Sequence, residues 1–110
     1  MLSLAFRSAT DLSGLIRRKE LGSEELLDLY LARIERLNPR INALVALDIA
    51  RAQRRAREAD EALARGEIWG PLHGVPMTLK DSFDVVGMPS TWGVPEPARC
   101  WRRPSPKVRT

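Results

Sequence analysis

Between Ser23 and the Asn38-Pro39 pair, Leu27, Tyr30, Leu31, Ile34 and Leu37 recur at spacings of three and four. That period lays one apolar stripe along a helix, and such a stripe is stable only when buried against another element. Ser23 is placed to cap this helix, and Glu24 and Glu25 fall in its first turn, where the helix dipole favours anions. A shorter helix over Asp11 to Lys19 precedes it, capped by Thr10, with Leu12, Leu15 and Ile16 on one face and Gly22 as the breaker. After Pro39 the run INALVAL (Ile41 to Leu47) is too short for its period to separate a strand from the lead-in to a helix; it is read as a strand. Asp48 then caps a long helix to about Arg65, ended by Gly66. Its narrow stripe (Ala52, Ala56, Ala59, Leu63) allows close packing against a neighbour.

At 110 residues the chain is at most one domain, and a domain of this size buries only about two-thirds of its unfolded surface. The net charge of +4 raises the question of nucleic acid, so its distribution matters. Arg99, Arg102, Arg103, Lys107 and Arg109 meet no acidic residue between them, and the remaining 13 basic residues face 14 acidic ones over positions 1–98. The basic character is a property of the last dozen residues. That tail, RCWRRPSPKVRT, has no apolar period and is read as a disordered end rather than a phosphate-binding arm. In the long helix, Arg51, Arg54, Arg55, Arg57 and Arg65 interleave with Glu58, Asp60 and Glu61, the pattern of a solvated face laced with ion pairs. No apolar run approaches the ~18 residues of a membrane span, and Arg7 interrupts MLSLAF too early for a signal-peptide core. A cytoplasmic location is the expectation. One histidine (His73) and one cysteine (Cys100) do not supply the usual zinc ligand set or an internal disulfide, so no structural metal is expected.

Lys80 is the only lysine between Lys19 and Lys107, an interval otherwise supplied with arginine. Gly70-Pro71 and Gly74 mark turns, and VPMTLK then alternates, with Val75, Met77 and Leu79 on one side and Pro76, Thr78 and Lys80 on the other. The alternation predicts a strand ending at Lys80. In an open α/β sheet, ligands bind beyond the carboxyl ends of the strands, and a partly desolvated lysine delivered there can accept a proton near neutral pH. The plainer reading is a lysine reaching solvent from a strand end, paired with Asp81 or Asp84.

The stretch GPLHGVPMTLKDSFDVVGMPSTWG, from Gly70 to Gly93, closely resembles the lysine-bearing motif of amidase signature family hydrolases. SEELLDLYLARIERLNPRINALVAL, followed by the alanine-rich helix, is similar to the N-terminal region of those enzymes. The resemblance runs from about Leu12 to Gly93 and fades after it, where the change of character looks like a reading-frame change or a gene fragment. It implies an α/β fold, with N-terminal helices plus the first strands of a mixed sheet, incomplete here. Residues 1–98 then form the N-terminal part of an amidase domain and 99–110 a basic tail. It implies that Lys80 is the base of a serine, cis-serine, lysine triad, activating a nucleophilic serine through a bridging one. The family's two serines lie in a Gly-Gly-Ser-Ser-Gly segment, and this chain contains neither a Gly-Gly nor a Ser-Ser pair. Ser82 and Ser90 belong to the lysine motif and do not match the nucleophile. No cofactor is implied; the partner is a small-molecule amide substrate of the full-length enzyme. The A subunit of a tRNA-dependent amidotransferase is the alternative within the same resemblance.

Other chemistries fit less well. His73, Ser82 and Asp81 or Asp84 are the residue types of a Ser-His-Asp triad, but no nucleophile elbow is present and His73 reads as a hydrogen-bonding loop residue. Trp69, Trp92 and Trp101 are too scattered for a base-stacking platform. The alternative of another class is a noncatalytic helical module whose basic tail binds nucleic acid. Neither nucleic-acid nor membrane binding is expected. A salt titration of affinity for duplex and single-stranded DNA is predicted to show no steep, tail-dependent binding; affinity that collapses with ionic strength and with removal of 99–110 would instead identify the tail as a phosphate-binding arm.

Overall fold

The computed structural model describes residues 3–80 and 85–88. The chain divides into two compact units, Met1–Pro76 and Met77–Thr110. The first holds a 3-10 turn (Leu4–Phe6) and three helices, α1 (Ala9–Arg17), α2 (Ser23–Ile41) and α3 (Ile49–Ala64). In the second, the described residues are 77–80 and the turn 85–88, closed by a hydrogen bond from the Met88 N–H to the Val85 carbonyl (3.1 Å). The tail 99–110 and Cys100 lie outside the described residues.

The helix starts are decided by caps. Helix α1 begins two residues before the sequence expectation: Ser8, not Thr10, is the cap, its hydroxyl accepting from the Asp11 N–H at 3.1 Å. Ser-x-x-Asp makes this the better start, because Ser8 takes the extended backbone a cap requires while Asp11 sits in the first turn. The helix ends in a Schellman motif, the Lys19 N–H donating to the Ile16 carbonyl (2.9 Å) and the Glu20 N–H to the Leu15 carbonyl (3.0 Å). Lys19 takes the left-handed conformation (φ 60°), so the chain turns there and Gly22 serves as the N-cap residue of α2.

Ser23 is the first residue of α2 rather than its cap, and Gly22 has no side chain to offer. The acceptor comes from α3. Asp60 takes the Ser23 N–H at 2.7 Å on Oδ1 and the Glu24 N–H at 3.1 Å on Oδ2. A carboxylate there satisfies two of the four unpaired donors and faces the positive end of the helix dipole.

Pro39 does not stop α2. It removes one donor in the last turn, the helix runs on to Ile41, and Asn42 ends it in the left-handed region (φ 52°). Residues 42–48 form no strand. The Asn38 side chain takes both main-chain groups of Leu44, donating to its carbonyl and accepting from its N–H, each at 2.9 Å. The polar groups a neighbouring strand would have paired are thus used by a local bridge. Asp48 caps α3 as expected, its carboxylate accepting from the Arg51 N–H at 3.2 Å. Gly66 (φ 82°) closes α3, with the Glu67 N–H donating to the Ala62 carbonyl at 2.8 Å.

The core is small: Leu12, Ile16, Leu21, Leu26 and Leu63, with Leu4, Leu15, Tyr30 and Val75 packed against it. Burial of each large side chain contributes about 1.5–3 kcal/mol. Of the expected α3 stripe, Ala56, Ala59 and Leu63 are buried and Ala52 is half-buried, while Ala62, which the stripe did not include, is buried as well. Among the described residues there is no strand, so these residues form a helical assembly and the expected sheet is not seen among them. The VPMTLK alternation is not kept as a buried face and an open face: Val75 reaches the core, but Met77 is 73% exposed. With no neighbouring strand among the described residues, nothing there defines an inner side for that run.

Removing the Asp60 carboxylate leaves two N–H groups of α2 without their acceptor, and Asp60→Ala is expected to lower stability by about 1–2 kcal/mol. Thermal unfolding followed by circular dichroism checks this, with Asp28→Ala, on the exposed side of α2, as the near-neutral comparison.

Candidate functional site

The loop from Gly70 to Val75, which leads toward Lys80 in sequence, is tied to all three helices. From α1, the Ser13 hydroxyl donates to the Pro71 carbonyl and the Arg17 guanidinium reaches the Gly70 carbonyl at 3.4 Å. From α2, the Ser23 hydroxyl donates to the Gly74 carbonyl at 2.6 Å. Toward α3, His73 Nε2 lies 2.9 Å from the Ala59 carbonyl, and His73 Nδ1 accepts from the Trp69 N–H at 3.0 Å. An N–H can only donate and a carbonyl can only accept, so the ring carries its proton on Nε2.

These groups are buried: Ser13 is 4%, Ser23 1% and His73 3% exposed. Buried polar groups without partners are costly, and each of these has one. Both nitrogens of His73 are engaged in holding the loop, in line with its reading as a hydrogen-bonding loop residue. The other members of the Ser-His-Asp alternative, Ser82, Asp81 and Asp84, lie outside the described residues, as do Ser90, Trp92 and Trp101. Trp69 packs on the loop, its ring centroid 4.8 Å from that of His73, and the Arg55 guanidinium of α3 lies 3.9 Å from the Trp69 ring centroid.

Gly74 shows why a glycine stands in this loop. Its φ is 77°, and a Cβ there would meet Ser23 Cβ at 3.1 Å and Ser23 Oγ at 3.2 Å. Main chain and helix start therefore approach so closely that a side chain at position 74 requires Ser23 to give way.

Lys80 itself is exposed, and the desolvated setting expected for it is not formed by the described residues. The Arg65 guanidinium has its pKa raised above the ordinary value by a hydrogen bond to the Glu67 carboxylate and by that group's charge; this exposed pair lies at the end of α3 and is structural. Among the described residues no group of three His, Cys, Asp or Glu side chains is arranged to hold a metal, and no helix is long and apolar enough to cross a membrane.

The amidase family model matches residues 25–99, a stretch that contains most of α2, all of α3, the anchored loop and Lys80. The chain belongs to the amidase family. The match begins in the first turn of α2, so α1, which supplies Ser13 to the loop, lies ahead of it. Similar proteins include the glutamyl-tRNA(Gln) amidotransferase A subunit of Acidothermus cellulolyticus, 41% identical over 93 residues, covering 84% of this chain and 18% of that protein. An acylamidase of Rhodococcus erythropolis is 37% identical over 92 residues, covering 84% of this chain and 19% of the relative. The corresponding amidotransferase protein of Dechloromonas aromatica is 44% identical over 86 residues, covering 78% and 18%. This chain thus spans less than a fifth of the length of these relatives.

Sequence reasoning pointed to Lys80 and left the anchoring of its loop unread. Ser23 was read as a helix cap, and Ser13 fell inside the first helix with no role of its own. Asp60 was assigned to the solvated face, although its spacing of four from Ala56 and three from Leu63 places it at the edge of the buried stripe. A paired substitution tests the anchoring. Gly66→Ala and Gly74→Ala both force a side chain into the left-handed region, at about 1–2 kcal/mol, but only position 74 adds contact with Ser23. Gly74→Ala is expected to lower the unfolding midpoint in urea clearly more than Gly66→Ala.

Proposed function

We propose that this amidase-family chain carries the general base of carboxylic amide C–N bond hydrolysis, and that the base is Lys80. The supporting observation is the position of Lys80 inside the family-matched stretch, in GPLHGVPMTLKDSFDVVGMPSTWG, where the resemblance puts the lysine of a serine, cis-serine, lysine triad. In that mechanism the neutral amine takes the proton of the bridging serine as that serine takes the proton of the nucleophile. The nucleophile's oxygen then attacks the amide carbon, and the tetrahedral oxyanion is held by main-chain N–H groups of a glycine-rich turn. Departure of the amine, protonated through the same relay, leaves an acyl-enzyme that water hydrolyses.

The two serines and the glycine-rich turn are not encoded in these 110 residues, so this chain supplies one member of the machinery. The sheet on which a family member would mount it, helices covering a mixed α/β layer, belongs to this proposal as well. The substrate is a small-molecule amide and the compartment the cytoplasm. Acylamidase among the relatives supports the free hydrolase. A second reading, the A subunit of a tRNA-dependent amidotransferase, is supported by the relatives of that name from Acidothermus cellulolyticus and Moorella thermoacetica. Both readings assign Lys80 the same proton transfer and differ in where the amide nitrogen goes.

Triad members act as a unit, so the chain alone is expected to hydrolyse simple aliphatic and aromatic amides no faster than buffer. Fused to a downstream amidase segment containing Gly-Gly-Ser-Ser-Gly, it is expected to gain activity. Lys80→Ala should remove most of that activity, and Lys80→Arg should fail too, because a guanidinium with pKa above ~12 does not give up its proton. Lys80-dependent hydrolysis by the unfused chain would sink the proposal and return attention to Ser82 and Ser90.

A further inference from the structure

The outer side of α2 and the start of α3 enclose an open groove of about 510 Å³ that the amidase reading does not use. Its floor is apolar, with Leu31 and Ile34 from α2 facing Leu47 and Ile49. Leu47 and Ile49 are 46% and 44% exposed. Two carboxylates, Asp28 and Glu35, also line it. They stand seven residues apart on α2, two helical turns or about 10 Å along the axis, with Leu31 between them.

Several other carboxylates on or beside α2 and α3 are engaged, although Glu25 and Glu61, which do not line the groove, are also outside any ion pair among the described residues. Asp48 pairs with Arg51, Glu58 with Arg55 and Glu24 with Arg57, while Asp60 caps α2. Asp28 and Glu35 have no ion pair among the described residues. A groove with an apolar floor and two uncompensated negative charges at a fixed spacing calls for an occupant that is apolar in the middle and cationic at two points. We propose that it is the docking seat of a basic amphipathic helix from a partner polypeptide, with cationic side chains seven residues apart and apolar residues at the third and fourth positions between them.

The occupant is a helix for a main-chain reason. Helices α2 and α3 satisfy their own N–H and C=O groups, and no strand is present among the described residues. An extended segment laid in the groove would find no edge to pair with and would leave its main-chain groups unpaired over apolar side chains, at a cost comparable to lost hydrogen bonds. A helix arrives with those groups already paired. A second copy of this chain fits less well, because the same face brought against itself opposes Asp28 and Glu35 with their own equivalents. A small apolar molecule leaves both charges without partners.

The test uses the full 110-residue chain and a fluorescein-labelled, alanine-based helical peptide. The peptide carries arginines seven apart, with leucines at the third and fourth positions between them. Saturable binding by fluorescence anisotropy is expected, and the Asp28→Asn/Glu35→Gln double variant should weaken it about tenfold. Both side chains are exposed, so the circular dichroism of the variant should match that of the parent. Affinity should fall as salt rises, and a peptide with glutamates in place of the arginines should not bind. Absence of saturable binding overturns the proposal, as does equal affinity for the parent and the double variant. Sedimentation giving a dimer that the double variant dissociates would assign the groove to a second copy and overturn it as well.

Discussion

The start of α2 is where the helical unit is joined, and the joint depends on one carboxylate. Gly22 brings no cap of its own, so the first donors of the helix are satisfied by Asp60 from a residue 37 positions away in sequence. That arrangement fixes α2 against α3 in both position and orientation, since two N–H groups meet two oxygens of one rigid group. On the same residue, the Ser23 hydroxyl reaches in another direction to the Gly74 carbonyl. One residue is thus shared by a helix start, a partner helix and the loop that runs toward Lys80. The small apolar core supplies most of the burial energy but little direction; these directed hydrogen bonds supply the geometry.

The loop of the family motif is built as main chain held by side chains of its neighbours. Ser13, Arg17 and Ser23 all donate to carbonyls of Gly70, Pro71 and Gly74, and His73 in turn donates to a carbonyl of α3. Carbonyls of an irregular segment need partners when buried, and hydroxyls on regular helices are well placed to provide them. The motif's glycine permits the approach and its histidine closes the loop on Trp69. A motif noticed for its lysine therefore carries several residues whose work is to hold main chain in place.

Much of the helical architecture was legible in the sequence. The stripe from Leu27 to Leu37 and the alanine stripe of α3, with Asp48 before it and Gly66 after it, gave two helices with nearly correct limits. The misplacements have local causes. Ser8 and Thr10 are both capping types, and the choice between them follows from which residue takes the extended backbone. Pro39 was read as a stop because it removes a donor, yet in a last turn that loss is small and Asn42 provides the end. The 41–47 segment has the composition of a strand, but the bridge from Asn38 to Leu44 satisfies its polar groups without a neighbour.

The candidate site divides in the same way. The amidase motif and Lys80 are a matter of residue order, which is why they are legible in one dimension. By itself the sequence determined the helices, their approximate ends and the family, because periodicity, capping types and motif spacing are short-range properties of the chain. Only the tertiary structure decided that Asp60 caps α2, that Ser13 and Ser23 serve the loop, and that both nitrogens of His73 are engaged. The pairings of Ser13, Ser23 and His73 with their distant partners join residues 14 to 58 positions apart, and a hydrogen bond across such a separation exists only once the helices have packed and brought donor and acceptor within about 3 Å of each other.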